Sequence, residues 1–490
     1  MKADAPDLST PGADLSTAND LLQPADLTPV NPVKARSARP CMSTPTTGSS
    51  SNNGGAASCP LLTITAALAA TADSAHDGAT ISVAAGSYGA NETFPLIVNH
   101  GRSIVGAGAS STTIQGSSAI FTTAGTMSIF DTGTHYVSIV AGDTTGVSNL
   151  RGFTLLPAST ITTPTVGYLG IVCLAGNAPN GGTTATPVPP LPAANLVIDS
   201  VTVGPNFDSG IITSSAPTQM TACNAIITRS LITGCNVGIG TGACGTANPV
   251  NAWASTQIGD GQSGHGNTFT GSAIDVFGQG CGSLQSINVN QFNSGLRGMV
   301  LVSAKAQYFE VLGNTFNGAA GPMPMGIGIQ TNSGAVIAKL NQNVFVNISQ
   351  TTAADTAAGV ASGFALRLSG GLLQAHGNQI NNNDNGIAID GAPPATFDFS
   401  SGGTSTDGNQ IYCNAKGTGG VGNGYDLVLN YSAGNVPTFA GNVWDNATPT
   451  TSVSVSTSAN GTDAVTGTSN GATLTGGTAT ATACVQSRVK

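Results

Sequence analysis

Charge is what this chain most lacks. Of its 490 residues only 8% are charged and 5% aromatic, against roughly 25% charged in an average soluble protein. A helical bundle needs many Glu, Lys, Arg and Leu residues, so this composition excludes one. The 14 Lys and Arg residues are scattered and the net charge is −9. Without a basic cluster there is no electrostatic footprint for nucleic acid or for an anionic membrane surface. No apolar run reaches the ~20 residues of a membrane span, and the longest, Leu61 to Ala72, is broken by threonines. The opening Met1-Lys2-Ala3-Asp4-Ala5-Pro6 lacks the apolar core of a signal peptide. Either a leader has been removed, or the start is misassigned, or export takes another route. No cysteine pair has the two-residue spacing of a zinc or redox site. No phosphate-binding, nucleotide or metal-ligand motif occurs either, so no cofactor is implied.

Glycine, by contrast, is plentiful: 66 residues, about twice its usual ~7% share. One phrase keeps returning, Gly-Asn, a spacer, then a large apolar residue. It reads Gly266-Asn267-Thr268-Phe269, Gly313-Asn314-Thr315-Phe316, Gly377-Asn378-Gln379-Ile380, Gly408-Asn409-Gln410-Ile411 and Gly441-Asn442-Val443-Trp444, with a degenerate copy at Gln342-Asn343-Val344-Phe345. The asparagines lie 47, 29, 35, 31 and 33 residues apart. A period of roughly 20–50 residues marks a solenoid, a propeller or an array. Asn tolerates the left-handed backbone of a tight corner, and the apolar residue two places on points inward from the next strand. The expected fold is therefore all-β: a single right-handed parallel β-helix of about a dozen coils of ~30 residues, with a short N-terminal capping helix. Stacked at equivalent corners, Asn267, Asn314, Asn343, Asn378, Asn409 and Asn442 should bond to one another and to backbone, a structural role. The expected core contains Ile81, Val83, Ile104, Ile114, Phe269, Ile274, Phe316, Ile327, Phe345, Leu366, Ile387 and Ile411.

Residues 1–58 read as a disordered stalk. Asp7-Leu8-Ser9-Thr10-Pro11 and Asp26-Leu27-Thr28-Pro29 repeat loosely, and Ser43 to Ser58 is nearly all Ser, Thr, Gly, Asn and Ala. Such a segment buries too little apolar surface to offset its ordering entropy. The β-helix is expected over 59–446, opening with a helix from about Leu61 to Ala72 that covers the end of the coil stack. Residues 447–490 form a Thr/Ser/Gly tract of terminal strands or a frayed cap, and the stretches 177–194 and 240–251 read as loops. The nine cysteines are Cys41, Cys59, Cys173, Cys223, Cys235, Cys244, Cys281, Cys413 and Cys484. Some read as disulfides, which implies export, with Cys41–Cys59 and two among Cys223, Cys235 and Cys244 nearest in sequence. The alternative is small buried apolar residues, as for Cys173 in Gly170-Ile171-Val172-Cys173-Leu174.

Residues Leu61 to Gly116 resemble a bacterial domain-of-unknown-function family found at the start of parallel β-helix proteins of the pectin-lyase-like superfamily. The matching words are Ile64-Thr65-Ala66-Ala67-Leu68, Gly78-Ala79-Thr80-Ile81-Ser82-Val83-Ala84-Ala85-Gly86-Ser87-Tyr88, Glu92-Thr93-Phe94-Pro95-Leu96 and Ile104-Val105-Gly106-Ala107-Gly108. The stalk resembles the tethers of predicted myxobacterial surface lipoproteins. Both resemblances imply an extracellular or cell-surface bacterial β-helix, and neither supplies an activity.

That superfamily includes polysaccharide lyases and glycoside hydrolases, so their chemistry sets the search. Gly264-His265-Gly266 resembles the Gly-His-Gly of polygalacturonase-type hydrolases, which also need clustered carboxylates. No Asn-Thr-Asp or Asp-Asp word precedes His265. A lyase needs a cation, such as calcium, on the substrate carboxylate and a Lys or Arg base. On alternation, Asp275, Arg367, Asp390 and Asp426 are expected to point outward, with Lys305, Tyr308 and Glu310 on another strand. Glu92 reads as a capping or turn residue. The functional expectation is a non-catalytic β-helix that binds glycan or serves as an envelope or matrix component. The alternative is a lyase or hydrolase with a degenerate site.

Overall fold

The structure, a computed structural model, describes residues 41–43, 60–116, 135–143, 146–158, 167–173, 194–213, 223–241, 256–280, 284–303, 307–331, 336–349, 363–369, 372–390, 398–399, 408–414, 425–429, 438–444, 451–452, 464–466 and 473–478. All belong to the unit Arg39–Lys490.

Each coil lays down three short strands, and every strand stacks in parallel on its equivalent one coil away. The chain is a parallel β-helix. The first face is an 11-stranded sheet that includes Thr80–Val83, Ser103–Gly106, Ser148–Arg151, Ala194–Asp199 and Cys223–Thr228. Its ladders run in step, as in Ile81↔Ile104 and Ile104↔Leu150. The second and third faces join into one 24-stranded sheet, because Thr268–Gly280 and Gln291–Ser303 run unbroken around the corner between them.

Side chains inside the coil form columns, since equivalent residues sit one strand spacing apart, about 4.8 Å. Phe269, Phe292, Phe316 and Phe345 stack with centroid separations of 4.6, 4.5 and 4.7 Å. Register continues that column into Ile380 and Ile411. Every expected core residue is buried except Ile274. Ile274 faces outward and packs with Phe277, Val300, Val302, Met325 and Phe364 in a separate cluster.

The repeated phrase works differently from the expectation. In five of these corners the left-handed residue is the one before the asparagine: Gly313 (φ 65°), Gly377 (φ 63°), Gly441 (φ 76°), and also Gln342 (φ 56°) and Val289 (φ 60°). The asparagine itself turns inward and is fully buried. Its Nδ2 donates to the next Oδ1 along Asn267, Asn290, Asn314, Asn343, Asn378, Asn409 and Asn442, at 2.9–3.0 Å per step. Asn290 divides the interval of 47 into coils of 23 and 24 residues. It follows Val289 rather than glycine, which hid it from the motif. A second, shorter column at the next corner runs from Asn383 to Asn414 (2.9 Å) and ends on Asp426 Oδ1 (2.8 Å).

The capping helix covers Ile64–Ala70, shorter than expected because Thr71 terminates it. Glu92 does cap it, accepting from the amides of Ile64 at 2.8 Å and Thr65 at 2.7 Å. Buried Arg102 ties down the other end, donating from Nη1 to Leu68 O at 2.6 Å. The expected stalk needs one correction. Cys41–Ser43 is a strand, paired with Ile81–Val83 as the edge of the first face; the rest of 1–58 lies outside the described residues. So do most of 447–490, most of the two expected loops, and Cys59, Cys244, Cys281 and Cys484. Cys173 is disulfide-bonded to Cys223, 50 residues away, while Cys235 is free and buried. Cys413 is also disulfide-bonded. Cys223 therefore does not pair with Cys235 or Cys244, as proximity in sequence suggested, because stacking brings together residues more than a coil apart. The expected Cys41–Cys59 pair falls on Cys59, outside the described residues.

Candidate functional site

The first corner carries a groove of about 420 Å³ lined by the loop Val105 to Ala109, by Arg151, Gly152, Ser200, Val201 and Thr202, and by Arg229 and Leu231. Local chemistry fixes its walls. Ala107 N donates to Thr112 Oγ1 at 2.9 Å, and Thr154 Oγ1 donates to Ala109 O at 2.6 Å. Coils approach so closely here that a Cβ on Gly106 would lie 2.3 Å from Gly152 O. Only glycine fits. Ser200 (φ 56°) and Arg229 (φ 49°) hold the left-handed corner positions, so the Arg229 side chain leaves the apex of its corner.

Asp199 organises the charges. It accepts from Arg229 Nε at 2.6 Å and Nη2 at 2.7 Å, and from Thr228 Oγ1 at 3.1 Å. Arg151 Nε reaches the same carboxylate at 3.2 Å. Burial pushes the Asp199 carboxyl up, but the hydrogen bonds from Arg229 and Thr228 outweigh it and hold it below the usual range. The Arg229 guanidinium is pushed up in return by its bond to Asp199. Side-chain exposure is 8% for Asp199, 40% for Arg229 and 58% for Arg151. The carboxylate thus lies behind two guanidinium groups that face the groove. Beside them His265 is bonded through Nδ1 to Asp260 at 2.7 Å, and its carbonyl accepts from Arg229 N at 3.1 Å. His265 folds an enlarged corner onto the site and is not flanked by a carboxylate pair.

The other expected residues do not converge. Asp275 and Asp426 were expected outward and are fully buried. Ladder register places both at the first inward position of the third face, abreast of Gly238, Gly298, Gly326, Ala365 and Gly386. Two successive residues turn inward there, as with Ala365 and Leu366, so strict alternation fails at the corner. Asp426 ends the second asparagine column. By hydrogen-bond geometry neither Asp275 oxygen, nor the nearby Ser272 Oγ, has a partner among the described residues. Ser272 lies close enough to lower the carboxyl's pKa, but burial outweighs it and drives the carboxyl well above the usual range. Above Asp275, a groove of about 600 Å³ at the second corner is lined by Ser272, Gly295, Cys235 and Asp208 among others. Arg367 does point outward, and it is ion-paired with Asp390 on the third face. Glu310 lies on the first face beside Lys339; Lys305 and the Tyr308 side chain lie outside the described residues. Among the described residues no group of three or more His, Cys, Asp or Glu is placed to hold a metal. No helix among the described residues is long and apolar enough to cross a membrane.

Sequence reasoning singled out His265, which lies beside the groove rather than lining it, and did not single out Arg151, Asp199 or Arg229. A signal existed. Each of the three lies at or beside a first corner, in Arg151-Gly152, Asp199-Ser200 and Thr228-Arg229, but those corners lack the asparagine that marked the others.

No protein-family model matches the chain, and no curated protein matches it. The resemblance over Leu61 to Gly116 therefore rests on its own residues. Among solved structures, the chain is similar to the catalytic unit of a thermostable GH87 alpha-1,3-glucanase from Streptomyces thermodiastaticus strain HF3-3, at 10% identity over 85% of this chain and 67% of that one, TM-score 0.33. It is similar to tailspike protein 2 of Escherichia coli O157:H7 bacteriophage CAB120, at 14% identity over 71% of this chain and 42% of that one, TM-score 0.30. It is also similar to the A-module of the Azotobacter vinelandii mannuronan C-5 epimerase AlgE4, at 11% identity over 85% and 94%, TM-score 0.28. The chain spans less than half of the tailspike. The parallel register of its own strands, rather than these likenesses, defines the fold.

Proposed function

We propose that the protein is an extracellular β-helix that binds glycan without cleaving it, and that the first-corner groove is the binding site. The observation that supports this most is the groove itself. It is open, walled by small residues over neighbouring coils, and edged with hydroxyl and guanidinium donors. An extended sugar chain needs an apolar strip for its C–H faces and a few placed polar groups, and exposed Leu231 and the Gly106–Ala109 wall sit beside Ser200, Thr202 and the arginines. The disulfide between Cys173 and Cys223 suits an oxidising compartment. The segment before Arg39 is the proposed tether.

A lyase or hydrolase needs acid and base on one sugar. Asp275 and Asp426 are sealed inside the coil, and Asp390 is held by Arg367, so these carboxylates do not supply that pair. The test incubates the full chain with a panel of polysaccharides, with and without calcium, and follows binding by calorimetry and chain length by chromatography. Binding with intact chains is expected. Shortened chains would sink the non-catalytic reading, and no binding to any glycan would sink the site.

A further inference from the structure

The charge arrangement in the groove selects among glycans. Resting on the glycan-binding reading above, we infer that the first-corner groove recognises an acidic sugar, with Arg151 and Arg229 closing on one anionic substituent from the two sides of Asp199.

Among the described residues that line the groove, the two charged ones are arginines, in a chain whose net charge is −9. Among the described residues, Asp199 is the one carboxylate in contact with both guanidinium groups. Asp260 also acts on Arg229 from a distance but is itself bonded to His265 Nδ1 at 2.7 Å, so what favours an anion is the unused guanidinium donors rather than net charge. A guanidinium offers five N–H donors in a planar fork. Arg229 spends Nε and Nη2 on Asp199, and the nearest approach of Arg151 to the same carboxylate is through Nε at 3.2 Å. The remaining Nη edges belong to the two arginine side chains that are 58% and 40% exposed, whereas the carboxylate is 8% exposed. Asp199 acts here as a positioning residue. Anchored by Thr228 Oγ1 at 3.1 Å, it fixes where the two forks point, so a ligand anion meets donors already in place.

A bidentate guanidinium fork matches the oxygens of a carboxylate, sulfate or phosphate. A neutral hydroxyl would leave most of these donors unused. Ser200 and Thr202 add hydroxyls to the same wall, suited to the sugar's own hydroxyl groups. The shared chemistry is a single anionic group on a pyranose, carried as a uronate carboxylate or a sulfate ester.

The test uses the full chain and three probes: an oligouronate, the same oligomer with its carboxyl groups reduced to alcohols, and a sulfated oligosaccharide. Tight binding to one or both acidic probes is expected, at least about tenfold stronger than to the reduced oligomer, and weakening with added salt. Arg151→Gln should remove most of that preference. It is the variant of choice because Arg151 is mostly exposed, so folding should be unchanged by circular dichroism. Arg229→Lys, which keeps the charge and loses the fork, should weaken acidic binding more than binding of the reduced oligomer. The two acidic probes decide between carboxylate and sulfate. Equal binding of acidic and reduced oligomers, or Arg151→Gln binding as the parent does, would overturn this inference and leave glycan binding intact. Failure to bind any of the three probes or any glycan of the wider panel would overturn both.

Discussion

Replacing Asp275 with alanine is expected to stabilise the protein at neutral pH. The position is fully buried, and among the described residues neither carboxyl oxygen has a partner at hydrogen-bond geometry, Ser272 being the nearest polar neighbour. A buried acceptor left unsatisfied costs about 1–3 kcal/mol. Alanine is already accommodated at the register-equivalent Ala365, itself buried. The void left by a carboxyl group returns part of the gain, at ~24 cal/mol per Å³, so the net stabilisation should be about 1–2 kcal/mol. pH supplies the sharper test. The Asp275 pKa is raised in the folded protein above the ordinary 3.8. Between the two values the folded state holds a proton that the unfolded chain has released. Stability therefore falls as pH rises above 3.8, by roughly tenfold in the folding constant per unit, until the folded pKa is passed. Below 3.8 the penalty is absent. Asp199 has the opposite sign: its lowered pKa contributes stability above 3.8 that is lost at lower pH, so it is common to both proteins and cancels in the difference. Urea denaturation of the parent and Asp275→Ala from pH 3 to pH 8 should show curves that meet near the acid end and diverge upward. Asp275→Asn, which keeps the shape and removes the charge, should follow the variant in slope. A parent more stable than both variants at pH 7 would refute the reasoning and require a cation or donor at that carboxylate.

Val289 holds a left-handed backbone (φ 60°) where other coils place glycine. A β-branched residue pays about 1–2 kcal/mol there, more than glycine's extra entropy of ~0.5–1 kcal/mol, so Val289→Gly should raise the urea midpoint; a lowered one would show that the valine side chain earns its place by packing. Phe316→Ala should cost about 3–5 kcal/mol, since Phe316 is stacked on both sides in its column, and an unchanged midpoint would refute the stacked core. A chain starting at Arg39 should melt with the full-length protein, whereas one starting at Cys59 loses Cys41–Ser43, bares the edge of Thr80–Val83 and should melt lower; equal melting of all three would make that strand dispensable. Cys235 is buried, and desolvation pushes its thiol up to about 12. A thiol reagent should therefore leave Cys235 unmodified in the native protein and label it in denaturant, as mapped by mass spectrometry.

The architecture was legible because it is periodic. Gly313-Asn314-Thr315-Phe316 and its relatives encode one corner and one inward residue per coil, and repetition turns that local instruction into columns of Asn and Phe without further information. Glu92 could be read as a capping or turn residue from its own word, but which amides it caps was settled by the fold, since it reaches Ile64 and Thr65 from 28 and 27 residues away. Whatever depends on which coil lies above which was not legible. Asn290 was hidden because valine holds the corner before it. Cys173 and Cys223 are joined across 50 residues, and proximity in sequence pointed elsewhere. Asp275 and Asp426 alternate like outward residues, yet the bend at the start of the third face turns two neighbours inward together, a property of the folded corner. The groove is the fullest case. Arg151, Asp199 and Arg229 are isolated letters in a chain poor in charge, spaced by loops of unequal length. Only the stacking of coils, one strand spacing apart, brings the two arginines onto one carboxylate. The sequence alone determined the solenoid, and tertiary register decided where its charges meet.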